Sequence, residues 1–411
     1  MIILFAVFIG IVFSIGQALG LNLGLAASSS KVRWLVMIAY YTVVQLGIIG
    51  LMSIRTISKE IKKDWIIFVA GNLVFLGITL CLESIQAFIR MIMILGAFNA
   101  LVFFHSINIS DQSLKKYIRL IIRLFYLVIA VAMIQQFFLL LGVSHVVFHP
   151  PRINSIFSDY NGFSGYLLSL IPLLWVLKKR KLVALSVILI CVSNSATSII
   201  ILFIFLLMVG FKMMKKKRFF LKGVVALIIF TIGISGGIKF YTVDKFDDHP
   251  TNPFFKVRQM IELLNIEKIK IIKDNIENID HDNSKDIIGL KKSSAVGRVL
   301  QLMHALFGWE SIKELVFGFR TGRVEGTFLT IFIRYGLVGT AFYFYFYYKY
   351  FIFKTKNIML RYYFWAFFIG VAVGLPLFSF PISMYIISLQ IYVLQRLLTN
   401  QQLIRYFVKN E

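Results

Sequence analysis

Runs of about twenty apolar residues recur along this chain with short basic loops between them, and that recurrence leaves few folds open to it. A backbone inside hydrocarbon has no water to bond, so each run must satisfy its own hydrogen bonds as a helix or as part of a closed barrel. The runs are continuously apolar instead of alternating with polar residues, which selects helices. Twelve windows fit, at roughly 1–18, 34–53, 65–82, 85–107, 119–142, 161–177, 182–193, 196–211, 219–240, 326–347, 362–377 and 382–396. Composition agrees: 59% of the 411 residues are hydrophobic, the mean hydropathy is +0.81 and 15% are charged, against ~25% charged in soluble domains. The expected fold class is an all-α polytopic integral membrane protein of about twelve transmembrane helices, with one long external loop between helices nine and ten. It divides into residues 1–240 (helices one to nine), 241–325 (the loop) and 326–411 (helices ten to twelve and a tail).

A net charge of +25 raises the question of a nucleic-acid partner, but such a footprint gathers basic residues on one soluble face, and here they sit in short loops. Lys and Arg in short loops are retained in the cytoplasm. Assigning loops to alternate sides gives 25 basic and four acidic residues on one side, whereas the short loops opposite carry only Lys31, Arg33 and Arg152. Both termini are therefore expected to be cytoplasmic, and the expected partners of the charge are membrane lipids, not nucleic acid. Residues 1–13 lack the basic leader of a cleaved signal, although Gly24, Ala26 and Ala27 resemble a processing site, so the first helix is expected to be retained. Cys81 and Cys191 lie in apolar stretches and read as small packing residues, with neither a disulfide framework nor a metal cluster indicated.

Residues 182–210 set the helix count. A single crossing there would carry either the basic residues 178–181 or the run at 215–218 to the outer face, and a hairpin avoids this. Arms of about 15 residues rise only about 22 Å, so the tip Ser193, Asn194, Ser195, Ala196, Thr197, Ser198 should stop inside the membrane, in a depression open to outside water. The loop at 241–325 carries 13 basic and 13 acidic residues, unlike the cytoplasmic loops, and long segments cross regardless of charge. Within it, 254–279 spaces Val257, Ile261, Leu264, Ile269, Ile272, Ile276 and Ile279 as an amphipathic helix lying on the membrane or capping the depression.

Sorting polar residues by side leaves a compact external set: Arg152, Asp159 and Asn161 before helix six, the hairpin tip, and Arg298, His304, Arg320, Arg323 and Glu325 before helix ten. Arginine at an external membrane edge is not explained by charge topology, and its planar fork suits phosphate oxygens, which makes these residues candidates for a pyrophosphate clamp. The plainer reading is that they pair with Asp247, Glu310 or Glu314, or reach lipid head groups. Glu325 is a candidate general base, or an acidic residue favoured by the helix macrodipole. Arg334 follows nine residues later, two and a half helical turns, and so on the opposite face. Arg90, beside Glu83, reads as structural.

Other motifs carry less. Asp280, His281, Asp282 is a lone acidic triplet of the kind metal-dependent sugar transferases use, set in an Asn- and Lys-rich loop. His145 and His149 are followed at once by Pro150 and Pro151 and have no carboxylate partner motif, against a zinc site. No phosphate-cradling glycine loop or nucleophile elbow occurs.

Three segments together resemble the O-antigen ligase and O-antigen polymerase (Wzy-type) superfamily: RINSIFSDYNGFSGYLLSLIPLL from Arg152, the SNSATS tip, and the stretch from GRVLQLMHALFG to FGFRTGRVEGTFLTIFIRYGLVG. The resemblance covers about residues 150–345 and implies a multi-helix protein of the bacterial cytoplasmic membrane. Such proteins join glycans carried on undecaprenyl pyrophosphate at the outer face, without metal or cofactor, beside other polysaccharide-assembly membrane proteins. By resemblance, Arg152 and Arg298 hold the donor pyrophosphate, with Asp159, Asn161, His304, Arg320 and Arg323 as further substrate contacts. Glu325 falls where ligases tend to have histidine, which favours a polymerase, while the tip lacks the serine-arginine pair often seen there. The implied activity is a glycosyltransferase; the alternatives are a ligase, a flippase for lipid-linked oligosaccharide, and a scaffold in envelope assembly.

Overall fold

A computed structural model describes residues 58–82, 110–141, 160–193, 195–213, 265–274, 311–318, 327–373 and 381–410, with isolated positions elsewhere. Among these residues the extended elements are all helices and no strand occurs. In chain order they are α1 (Lys59–Leu82), α2 (Asp111–Leu140), α3 (Tyr160–Val176), α4 (Arg180–Val192), α5 (Ala196–Met213), α6 (Ile266–Asp274), α7 (Ile312–Phe317), α8 (Thr327–Tyr347), α9 (Ile358–Val373), α10 (Pro381–Leu398) and α11 (Gln401–Asn410). A π-helical turn, Tyr348–Phe353, prolongs α8. Among the described residues three helices are long and apolar enough to cross a membrane, at Lys59–Cys81, Asp111–Leu139 and Phe328–Phe353, and shorter apolar helices lie at Gly162–Val176, Ile358–Gly370 and Ile386–Leu398. The described residues are those of a helical membrane protein.

The side chains of α2 show why. Ile118, Ile121, Phe125, Val128 and Ala132 recur at three- and four-residue spacing and are buried, yet Tyr126, Met133, Ile134 and Phe137 on the outward face are equally apolar and exposed. A helix apolar on all sides belongs in lipid. The apolar windows at 161–177, 182–193, 196–211 and 382–396 coincide with α3, α4, α5 and α10 to within two residues at each end. Those at 65–82 and 119–142 begin later than α1 and α2, because the helices run on through their basic first turns. α2 opens at Ser110, whose Oγ accepts from Ser113 N. The windows at 1–18, 34–53 and 219–240, and all but isolated positions of 85–107, lie outside the described residues. Of the expected amphipathic stretch 254–279, α6 is described, with Ile272 buried and Lys270 and Asp274 exposed.

Two compact units divide the chain: Met1–Ser193 with Phe342–Arg361 and Pro376–Glu411, and Asn194–Ala341 with Tyr362–Leu375. In the first, Phe68 and Phe75 of α1 meet Phe342, Tyr343 and Phe346 of α8 in a cluster of aromatic rings, and Gly71 leaves the space that the Phe342 ring fills. The Tyr343 hydroxyl donates to Asn72 Oδ1 within it. α3 and α4 form a tight hairpin: Lys178 adopts a left-handed conformation (φ 58°) and Lys179 N donates to Leu174 O at 3.0 Å. α3 also lies along α10, where Ser169 Oγ donates to Gln390 Oε1.

Contacts at the helix ends give the first unit a direction. Asn400 Nδ2 donates to Asp111 Oδ2 at 2.8 Å, Arg119 to the Tyr406 hydroxyl at 2.8 Å, and Gln395 to the Tyr350 carbonyl at 2.8 Å. The starts of α1 and α2 and the ends of α8 and α10 thus gather together, bringing Lys59, Lys62, Lys63, Lys115, Arg119, Lys349 and Arg396 to one end.

In the second unit, Ile201 of α5 packs where a side chain on Gly370 of α9 would lie, and Phe328 of α8 meets Phe368 at 4.8 Å. α7 is capped by Ser311, whose Oγ accepts from Glu314 N at 3.2 Å, and ends at Gly318 (φ 82°). That end lies against a break in α8 at Gly336 (φ 61°): a Cβ on Gly336 would come within 2.4 Å of Val316 O, and one on Gly318 within 2.2 Å of Arg334 O. Both glycines are required twice over, by backbone conformation and by the close crossing. Gly336→Ala should cost at least about 2 kcal/mol of stability. By contrast Gly77→Ala, which meets nothing within 4 Å, should gain about 0.5–1 kcal/mol from helix propensity. Unfolding of the purified protein in mixed micelles checks both.

Candidate functional site

Polar residues expected to do chemistry fall in two neighbourhoods, one in each unit. The first is the start of α3. Gln135, deep in the apolar α2, is costly to bury unless its amide is fully bonded, and it is: Ser155 N donates to Gln135 Oε1 at 2.7 Å and Gln135 Nε2 donates to Ser155 O at 3.2 Å. Ser155 Oγ adds a third bond, to Val128 O at 2.7 Å, and the residue takes a left-handed conformation (φ 51°). The chain leading into α3 is thus pinned to α2 at a point 24 residues, roughly 36 Å, beyond Asp111 and the basic end. Asn161 lies in the first turn of α3. Arg152, Asp159 and the side chain of Asn161 are outside the described residues.

The second neighbourhood surrounds the α7–α8 crossing. Leu300 and Met303 are buried, and Trp309 meets Phe332 of α8 at 5.2 Å. Arg334 is described and nearly buried, at 8% exposure, beside the Gly336 break. Arg298, His304, Arg320, Arg323 and Glu325 lie outside the described residues, so the structure neither joins nor separates them. At the hairpin tip Ser193, Ser195 and Ser198 are buried, with Ser193 Oγ donating to Ile190 O and Ser195 Oγ to Ser198 Oγ. The break between α4 and α5 stands where the hairpin was expected.

A third cluster was not singled out from the sequence. At the basic end of the first unit, Lys349 Nζ lies 2.6 Å from Asp64 Oδ2 and 3.1 Å from Glu60 Oε1, and the Tyr350 hydroxyl donates to the same Asp64 oxygen at 2.7 Å. The π-helical turn presents the carbonyls of Tyr350 and Phe351 sideways, and Gln395 Nε2 donates to them at 2.8 and 3.4 Å and to Thr355 Oγ1 at 3.2 Å. Those three acceptors fix the amide's orientation, so Gln395 Oε1 faces His105 Nε2 at 2.7 Å and that nitrogen carries the proton. Lys354 sits 4.5 Å from the Tyr350 ring centre, and burial pushes its ammonium below the ordinary lysine range, with Glu60 opposing. Asp64, Tyr350 and Gln395 are buried. Ionised groups at the membrane edge are expensive and tend to mark function. Charge counting grouped Asp64 with loop residues because only the folded helices show that it faces Lys349.

Among the described residues no three His, Cys, Asp or Glu side chains converge as a metal site requires. No family model matches the chain, and neither a curated protein nor a solved structure gives a significant match.

Removing one member of a buried ion pair leaves the other charged and unpaired, which costs about 3–5 kcal/mol. Asp64→Leu and Lys349→Met should each destabilise on that scale, tempered for Lys349→Met by the Tyr350 bond that remains on Asp64. The double variant should lose less than the two singles together, with a coupling of about 1–3 kcal/mol. A double-mutant cycle read by unfolding in micelles measures it.

Proposed function

We propose that this chain is a polysaccharide polymerase of the bacterial cytoplasmic membrane, extending O-antigen, capsule or exopolysaccharide repeat units at the outer face. In this reading twelve helices cross the bilayer and both termini are cytoplasmic. The observation that carries it is the pinning of Ser155 to Gln135. It supports a position for the Arg152–Asn161 segment at the far end of α2 from the basic cluster, and so away from the cytosol. The resemblance of that segment, and of the stretch ending in Glu325, to the Wzy-type superfamily supplies the chemistry.

The donor is a glycan on undecaprenyl pyrophosphate and the acceptor a second lipid-linked glycan. Glu325 takes the proton from an acceptor hydroxyl, whose oxygen attacks the donor's anomeric carbon from the face opposite the pyrophosphate. The anomeric C–O bond to phosphate breaks and undecaprenyl pyrophosphate departs with the bonding pair. Arg152 and Arg298 offset the growing charge, so the transfer requires neither metal nor cofactor. Asp159, Asn161, His304, Arg320 and Arg323 hold the sugars and the lipid phosphates.

One observation favours a second reading. A flippase for lipid-linked oligosaccharide needs buried polar groups toward the cytoplasmic side as well, and Asp64, Lys349, His105 and Gln395 provide them. Gene deletion separates the two: cells lacking a polymerase still export single repeat units, and cells lacking a flippase export none. With purified protein and lipid-linked repeat units, Arg152→Ala and Arg298→Ala should each slow chain extension about 10²–10³-fold. Glu325→Gln should slow it about 10²–10⁴-fold. Product ladders on gels read the result, and unchanged chain lengths for both arginine variants would remove the clamp.

A further inference from the structure

α2 is longer than a bilayer core. As a candidate span it runs 29 residues, its basic first turns included, or about 43 Å against about 30 Å of hydrocarbon, so roughly its first nine residues stand in the head-group layer. α11 lies against that overhang: Asn400 bonds Asp111, Lys115 Nζ sits 4.1 Å from the Tyr406 ring centre, and Arg119 donates to the Tyr406 hydroxyl. Leu403 and Phe407 turn inward and are buried, while Gln401, Gln402 and Arg405 face out. At the elbow between α10 and α11 is an open cavity of about 380 Å³, lined by Asp111, Arg396, Thr399, Asn400, Gln401 and Gln402.

That lining places one cation and one carboxylate beside neutral hydroxyl and amide groups, at the depth where lipid head groups sit. We propose that the α10–α11 elbow binds the head group of a zwitterionic phospholipid bearing a primary ammonium, such as phosphatidylethanolamine. Arg396 takes the phosphate diester, for which a guanidinium is suited, and Asp111 takes the ammonium. Thr399, Gln401 and Gln402 complete the polar wall. A purely anionic head group would meet the Asp111 carboxylate, and a choline head group offers it no N–H donor. The surrounding Lys115, Arg119 and Arg405 draw lipid phosphate to this end in a general way, and the elbow sets both charges in one cavity. The site depends on the membrane placement of α2 and not on the glycan chemistry proposed above, so either can fail without the other.

The test uses the full-length protein, delipidated in detergent and exchanged into nanodiscs or micelles containing dioleoyl phosphatidylethanolamine, phosphatidylcholine or phosphatidylglycerol, with retained lipid counted by native mass spectrometry. Phosphatidylethanolamine should be retained about tenfold over the other two. Arg396→Gln should abolish retention of all three, and Arg405→Gln, which changes a basic residue outside the cavity, should leave it unaltered. Asp111→Asn should remove the preference over phosphatidylcholine. Because that change also touches the Asn400 bond, Thr399→Glu provides a second arm: a new negative charge in the wall should lower retention at least tenfold with the bond intact. Soluble phosphoethanolamine should not displace the lipid. Equal retention of the three lipids, preference for phosphatidylglycerol, an Arg405→Gln effect equal to that of Arg396→Gln, full retention in Thr399→Glu, or displacement by the soluble head group would each overturn the proposal.

Discussion

Lys349 stands between Asp64 and Glu60 where α1 begins and the π-helical end of α8 stops, and the first unit is arranged around the need to keep such charges out of hydrocarbon. An ammonium and a carboxylate taken from water cost more than their attraction returns unless their remaining positions are bonded. Tyr350 supplies one such bond, and Gln395 ties the same turn to α10 and, through His105, to the segment before α2. The consequence is a shared level for four helix ends. On the reading proposed for the chain, α2 overhangs the bilayer core on the basic side and its far end carries the Gln135 anchor toward the other.

Much of this architecture is legible in the residues. α3, α4, α5 and α10 follow from apolar length alone, and the break between α4 and α5 from the cost of exporting the lysines at either end. The contacts of Asp111, Lys349 and Gln395 bring the basic ends of α1, α2, α8 and α10 together. Other features depend on partners distant in sequence. α11 contains ten residues, too short to register as a span, and lies beside α2 through Tyr406 and Asn400, with Leu403 and Phe407 buried. α7 exists beside Gly336, where two backbones cross at a distance only glycine permits, and no local pattern announces that crossing. Asp64 reads as a loop charge until α8 is laid beside it.

The candidate site is legible in a different measure. The residues before α3 stand out because polar side chains open directly into an apolar helix, and Ser155 among them is bonded to Gln135. Arg298, His304 and the loop carrying Arg320, Arg323 and Glu325 rest on sequence pattern and resemblance. What pattern could not supply was the buried network at the basic end, and it is this network that keeps transport in contention with polymerisation.

The proposed function requires Arg152, before α3, and Glu325, before α8, to face one side of the membrane and the α10–α11 elbow the other. Labelling with a membrane-impermeant maleimide, in a background with Cys81→Ser and Cys191→Ser, tests it most directly. In intact cells or spheroplasts, Arg152→Cys and Glu325→Cys should react, and Asn400→Cys should react only after the membrane is opened. Reaction of Arg152→Cys and Asn400→Cys from the same side, or of Arg152→Cys and Glu325→Cys from opposite sides, would contradict the account.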